Sequence, residues 1–570
     1  MNLSFINNLK NWHIFLILAI IIFSLYGQAV SFGLSYLDDS ALILDDFHTI
    51  SNFSNFFEVF KHDLFYGQRA GAFYYRPMLT VSLMIDAAIG GKDPFIYHLS
   101  NILLHLATVY LLFIFLQKLN YSRLSSFLAS LLLAIHPIST RIASWVPGRT
   151  ETILAIFIIL SFIYLIDYLK EYKIKDLILH LIFFLLALLQ KETAVFVPIL
   201  FALYLFLERK DLYLACCGFF NKKSLGKPGD DGSQKKQREV FGKLLAMLIG
   251  WLAALIFWFV LRSQALGGGG IGMSFVQILR SLIINLPGLF LYIGKVFFPF
   301  DLSVYPILQD SSLFYGILAT LLIAILILLS RKSLKLNRVI FGSVWFLVLL
   351  IPSFLRPNQG GPLDFMEHRI YIPLIGILII FLEINWDEIF KKRYLKEIVF
   401  IFIIALFLFI NIFSSRVFLS RITFWENAVK NSPHFPLAHR NLGAMYWLDG
   451  RVDEAEKEYL ESLRLNPEEP MAHNNLGLIY ASRGDFENAI KEYEAELKIN
   501  PYYGNALYNM GLAYWNTNKK EEAAQKWKEV IIVNPNYFSA YKALIMFYQE
   551  NGQKDLADEL LFELQRRGGL

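Results

Sequence analysis

Asp38 and Asp39 stand side by side in the stretch SYLDDSALI, directly after a long apolar run. Paired carboxylates at the mouth of a membrane helix can cap a loop, or one of them can accept a proton from an attacking hydroxyl. Further along, FYYRPMLTV carries Arg76 before Pro77, and HPISTRIASWVPGRTE carries His136, Arg141, Trp145, Arg149 and Glu151. QKET carries Lys191 and Glu192, and MEHRIYIP carries Glu367, His368, Arg369 and Tyr371. A guanidinium forks phosphate oxygens and an ammonium supplies a point charge. Ionisable groups at membrane depth are costly and are functional candidates for that reason. Each has a structural alternative: Arg76 as an interface anchor, Arg149 with Glu151 as an ion pair, Glu192 paired with Lys191 or a nearby arginine. His98 and His105 lie seven apart on one helical face with Asn101 between them, and read as packing residues.

The elements that must position these groups are apolar helices. Of the 570 residues, 56% are hydrophobic and 18% charged. That excludes an ordinary soluble protein and a disordered one. The 51 Phe and 29 Tyr suit lipid-facing helices with interfacial aromatics. A net charge of +5 is small for this length and argues against nucleic acid as a partner. The adjacent Cys216 and Cys217 fit neither a staple nor a metal spacing. The N-terminal apolar run reads as a retained anchor.

Residues 1–413 read as a polytopic helix bundle. Spans are expected near 13–33, 97–117, 123–136, 151–169, 176–190, 193–208, 243–262, 312–330, 337–355, 369–385 and 397–413. With 275–298 either crossing or dipping in, that makes about 11–12 spans, several short. Basic stretches at 170–175, 221–238, 331–338 and 391–396 mark the cytoplasmic side, with a large cytoplasmic loop at 209–242. The first outer loop, 34–96, and the loops 136–150, 263–274, 299–311 and 356–368 then face the other side.

Residues 420–570 are polar and repetitive. Gly443, Gly477 and Gly511 recur every 34 residues, as do Tyr446, Tyr480 and Tyr514, Ala455, Ala489 and Ala523, and Pro467, Pro501 and Pro535. A small residue where paired helices touch, an aromatic beside it and a proline at the turn make the tetratricopeptide pattern. A half repeat at 420–435 precedes repeats at 436–469, 470–503, 504–537 and 538–570, which form an α-solenoid with a concave face. Asn441, Asn475 and Asn509 recur in the same phase, and a ladder of amides can pair with an extended peptide backbone. Asn-Leu-Gly is also common in such repeats without that role.

YYRPMLTVSLMID, YHLSNILLH, HPISTRIASWVPGRTE, QKETAVFVPIL, EHRIYIP and the repeat tail together resemble the transmembrane and tetratricopeptide repeat-containing O-mannosyltransferases and their bacterial relatives. These belong to the GT-C superfamily of polyprenyl-phosphate-sugar glycosyltransferases. The resemblance implies an all-α fold and transfer of mannose from a polyprenyl-phosphate donor to Ser or Thr of a protein acceptor. It implies an acidic base in the first outer loop, matching Asp38 or Asp39. Family members often have Asp where this chain has Glu151. The phosphate and donor candidates are Arg76, His136, Arg149, Glu151, Lys191, Glu192, Glu367 and Arg369. The acceptor candidates are Asn441, Asn475 and Asn509. No cofactor is required, and a divalent metal at one of the aspartates is an alternative. The expected setting is a bacterial inner membrane with periplasmic repeats and undecaprenyl phosphate, or else an endoplasmic reticulum membrane with luminal repeats and dolichyl phosphate. Transfer to a lipid-linked glycan or surface polymer, and a non-enzymatic membrane-anchored scaffold, are the competing functions.

Overall fold

A computed structural model describes residues 3–65, 74–208, 231–267, 273–355 and 364–569, with side chains of 3–4 and 231–238 excepted. Cys216, Cys217 and most of the basic stretch 221–238 lie outside the described residues. The architecture is all-α. Every named element among the described residues is helical, and one isolated antiparallel bridge joins Ile307 to Asp364. The chain divides into two compact units, Met1–Phe424 and Trp425–Leu570.

Among the described residues of the first unit, six helices are long and apolar enough to cross a membrane: Asn11–Ser31, Pro94–Lys118, Val146–Glu171, Glu239–Ala265, Leu336–Phe354 and Arg393–Phe418. The count reaches eight if two bent pairs each form one span, fewer than the 11–12 expected. Several expected spans are shorter helices, including Ile174–Gln190, Val197–Glu208, Phe314–Ser330 and Tyr371–Glu383. One departure bears on function. The expected span 123–136 bends by 66° between Arg123–Ile135 and Ile138–Ser144. Pro137 follows His136, whose backbone is extended (φ −64, ψ 133), as a residue before proline prefers. Most of the expected loop 136–150 is therefore helical, and its polar residues are packed inside the unit.

Helix pairs build the walls. Arg149–Glu171 packs on Ile174–Gln190 and on Pro94–Lys118, and Leu336–Leu350 packs on Tyr371–Glu383. The last pair meets at Gly342 and Gly376, where a side chain on either would strike the other's carbonyl oxygen. Small residues let helix backbones approach this closely inside a membrane, where dispersion contacts replace the hydrophobic effect as the source of adhesion.

The second unit is a series of helix pairs beginning at Pro436–Leu448 and Val452–Leu465 and ending at Lys554–Arg566. Gly443 lies against the Tyr459 ring, Gly477 against Tyr493 and Gly511 against Trp527. Ala455, Ala489 and Ala523 are fully buried between them. The turns inside the pairs need a left-handed residue: Gly450, Gly484 and Gly552 supply it at φ 79, 79 and 72, and Asn518 at φ 60 takes the same phase in the third repeat.

Candidate functional site

Asp39 is buried and held by four donors. Its carboxylate accepts from Ser35 N at 2.6 Å, Ser35 Oγ at 2.9 Å, Leu37 N at 3.1 Å and Ser40 N at 3.0 Å. It thereby closes the turn after the left-handed Tyr36 (φ 57) and begins the helical turn Ser40–Asp45. Burial pushes the Asp39 carboxyl above its usual range, and these four donors pull it back. Asp38, its neighbour, is exposed. The two acids that look equivalent in sequence have different surroundings.

Ser35 also accepts a hydrogen bond from Trp145 Nε1 at 3.1 Å. The same indole packs on the His368 imidazole (ring centroids 5.3 Å apart), and the Arg141 guanidinium lies 5.9 Å from its centroid. One ring thus joins the acidic turn to residues of MEHRIYIP. The Trp145 turn is itself clamped. Trp145 N donates to Arg141 O, Gly148 N donates to Trp145 O, and a side chain at Gly148 would collide with the Arg141 and Ile142 backbone. Asn101 Nδ2 donates to the carbonyls of Ile142, Trp145 and Val146 at 2.7–3.2 Å.

Arg149, expected at the phosphate, is found completing that clamp. Its guanidinium is fully buried and donates to Asp86 Oδ2 at 2.5 Å, Asn101 Oδ1 at 2.9 Å and Tyr97 O at 2.7 Å. At His136, Nε2 lies 2.9 Å from Val296 O and Nδ1 accepts from Ile138 N at 3.2 Å, so both ring nitrogens bind backbone. The contacts of Arg149 and His136 tie the bent segment to its neighbours.

The remaining candidates form ion pairs. Arg76 pairs with Glu192 at 3.3 Å, and Glu192 also accepts from Tyr75 N at 3.0 Å. Lys191 pairs with Glu151. Arg369 pairs with Asp364 at 2.6 Å, and Lys295 with Glu367 at 3.6 Å; Glu367 also accepts from Ser303 N at 3.1 Å. The pairs are neighbours: Arg76 and Arg369 both lie within Coulombic reach of the Lys191 ammonium, and Arg369 and Glu367 within reach of Arg141. Burial pulls the Lys191 ammonium down against the lift from Glu151, and pushes the Glu367 carboxyl up against the pull of Lys295 and Arg141. Arg76, Lys191 and Glu192 are half-buried, whereas Glu151, Glu367 and Arg369 are buried.

Asp86, Asp364, Lys295 and Ser303 belong to this network but not to the sequence-derived candidates. Asp86 had a legible signal, an acid in the apolar stretch MLTVSLMIDAA. Lys295 carried the same signal, a lone cation in the apolar stretch LFLYIGKVFFPF, whereas Asp364 and Ser303 sit in loops with no such contrast. Among the described residues no group of three His, Cys, Asp or Glu could hold a metal ion.

In the second unit, Asn441, Asn475 and Asn509 are each half-buried. Asn441 Oδ1 accepts from Arg440 at 3.1 Å, Asn475 Oδ1 accepts from Asn474 at 3.2 Å, and Asn509 Nδ2 donates to Asn474 Oδ1 at 3.0 Å. A second repeating motif accompanies them. His439 Nδ1 lies 2.6 Å from Glu458, and His473 Nδ1 lies 2.6 Å from Glu492.

Residues 77–215 match the family described as dolichyl-phosphate-mannose-protein mannosyltransferase. Residues 423–470, 449–504 and 504–526 match tetratricopeptide repeat families. The protein O-mannosyl-transferase TMTC2 of Homo sapiens is 38% identical over 97 residues, 17% of this chain and 11% of that protein. The protein O-mannosyl-transferase Tmtc1 of Drosophila melanogaster is 31% identical over 121 residues, 21% of this chain and 14% of that protein. The chain therefore aligns with 11% and 14% of the length of these curated relatives. Of solved structures, the crystal structure of MamA is 20% identical, covering 26% of this chain and 86% of that one with a TM-score of 0.25. The resemblance to membrane-bound, repeat-bearing O-mannosyltransferases is borne out by this combination of matches.

Proposed function

We propose that this chain transfers mannose from a polyprenyl-phosphate donor to Ser or Thr hydroxyls of protein acceptors, with inversion at the anomeric carbon. One observation carries the reading: Trp145 donates to Ser35 of the Asp39 turn and lies beside His368 and Arg141, which supports one site served by the acidic turn and the nearby cations. The matched family and the relatives' names supply the sugar and the acceptor class.

The leaving group of such a donor is a phosphate, already a stable anion, so it needs no general acid. One carboxylate is enough to take the proton of the attacking hydroxyl. The exposed Asp38 fills that role, and the four-donor cage around Asp39 fixes the turn that presents it. Attack from the face opposite the phosphate inverts the anomeric centre. Arg76, Lys191 and Arg369 supply cationic donors that meet the phosphate as its charge develops. Glu151, Glu192 and Asp364 hold those cations in place. The asparagines of the repeats receive the extended acceptor. A bacterial inner membrane with periplasmic repeats is the setting favoured by the compact loops and the presence of only 2 cysteines.

The test is purified full-length protein with radiolabelled polyprenyl-phosphate mannose, a panel of Ser/Thr peptides and a lipid-linked glycan. Label in peptide, abolished by Asp38→Asn, is the expected result. Label in the glycan alone replaces the acceptor, and label in neither removes the enzymatic assignment.

A further inference from the structure

The cations of this site are not alike. Arg76, Lys191, Arg369 and Arg149 each hold a carboxylate, namely Glu192, Glu151, Asp364 and Asp86. Arg141 is 5% exposed, and among the described residues it has no carboxylate in ion-pair contact. Its Nη2 donates to the Val304 carbonyl, while Nε and Nη1 are buried without a hydrogen-bond partner. The carboxylates whose charge reaches it, Glu367 and Asp364, are already engaged by Lys295 and Arg369. Counting these five groups, three cations face two anions, leaving one positive charge unbalanced. A buried guanidinium with open donors is costly unless an anion meets it.

We infer that Arg141 is the primary contact for a phosphate group, its unpartnered Nε and Nη1 forming the two-pronged donor that such an oxyanion accepts. This rests on the proposed donor chemistry but names a residue outside the ion-paired set. Adjacent Nε and Nη donors match the spacing of two phosphate oxygens, which the point charge of a lysine does not. The Trp145 ring neighbours the guanidinium, its centroid 5.9 Å away, and the Asn101 and Arg149 clamp fixes the turn that carries Trp145. The phosphate arrives on a lipid or as the free ion; the shared chemistry is the oxyanion.

The test is thermal unfolding and equilibrium binding of the full chain in detergent with farnesyl monophosphate, farnesol and inorganic phosphate as probes. Wild type is expected to be stabilised by farnesyl monophosphate and not by farnesol. An equal shift with inorganic phosphate keeps the phosphate site and assigns it to the free ion. Arg141→Met should weaken farnesyl monophosphate binding roughly thirtyfold or more, as for truncating one partner of a buried charged pair. Without ligand the same variant should melt no lower than wild type, because it removes a buried unpaired charge. A purely structural arginine predicts the opposite, a lower melting temperature with phosphate binding intact, and that result overturns the assignment. Arg141→Lys should recover only part of the affinity; full recovery rules out the fork. If sugar transfer fails while the phosphate shift and its loss in Arg141→Met persist, the anion site stands without the transferase. If transfer proceeds and Arg141→Met binds normally, the transferase stands and Arg141 is not the contact.

Discussion

Trp145 Nε1 donates to the Ser35 hydroxyl across 3.1 Å, and the same hydroxyl donates to Asp39 at 2.9 Å. A residue of the bent segment thus sets the turn that carries both acids, 110 positions away in sequence. Trp145→Phe keeps the ring and removes the donor. About 1 kcal/mol for one hydrogen bond predicts a roughly fivefold fall in transfer rate. Ser35→Ala should give a similar fall, and the double variant should add little to either. Additive losses in a double-mutant cycle would show the two residues acting separately.

Asp38 and Asp39 should separate under isosteric substitution. Each carboxylate oxygen of Asp39 accepts from two donors, so Asp39→Asn turns one acceptor into an amide nitrogen facing two of them. It should lower unfolding stability by about 1–3 kcal/mol. Asp38→Asn should leave the melting temperature near wild type and lower the transfer rate by about 10²–10⁴. Paired melting curves and single-turnover rates decide the matter, and the reverse pattern would assign the base to Asp39.

The Arg149–Asp86 pair, both members buried, makes a stability prediction. Arg149→Met strands the Asp86 carboxylate and frees the Asn101 clamp, and should cost about 3–5 kcal/mol. Adding Asp86→Leu should recover part of that loss. Lipid-phosphate binding by the doubly substituted protein should survive if Arg149 only positions the site, which a direct binding assay reads.

The repeats carry a pH dependence. The hydrogen bond from His473 to Glu492 raises the His473 imidazole above its ordinary 6.5; at His439 the Glu458 contact does the same against burial. A raised folded-state value means the charged pair stabilises fully below pH 6.5 and loses its contribution as pH climbs through the folded value. The repeat transition should therefore melt at lower temperature on going upward from pH 6.5. His473→Gln should flatten that slope. A wild-type slope of opposite sign, measured by circular dichroism across the titration, would show the pairs are absent in solution.

The amino-acid sequence alone determined the class of fold and the repeat phase, and it marked many, though not all, of the ionisable residues that pack together in the first unit. Repeat helices pack mainly on sequence neighbours, so Gly443 meeting Tyr459 is written in a local period of 34. The acids and cations stood out because charge is conspicuous against apolar helices. Their division of labour was decided only by tertiary structure. Arg76 and Glu192 are 116 residues apart, His136 and Val296 160 apart, and no local period encodes such pairings. Packing decided which arginines were neutralised by a carboxylate, and left Arg141 with its charge unmatched among the described residues.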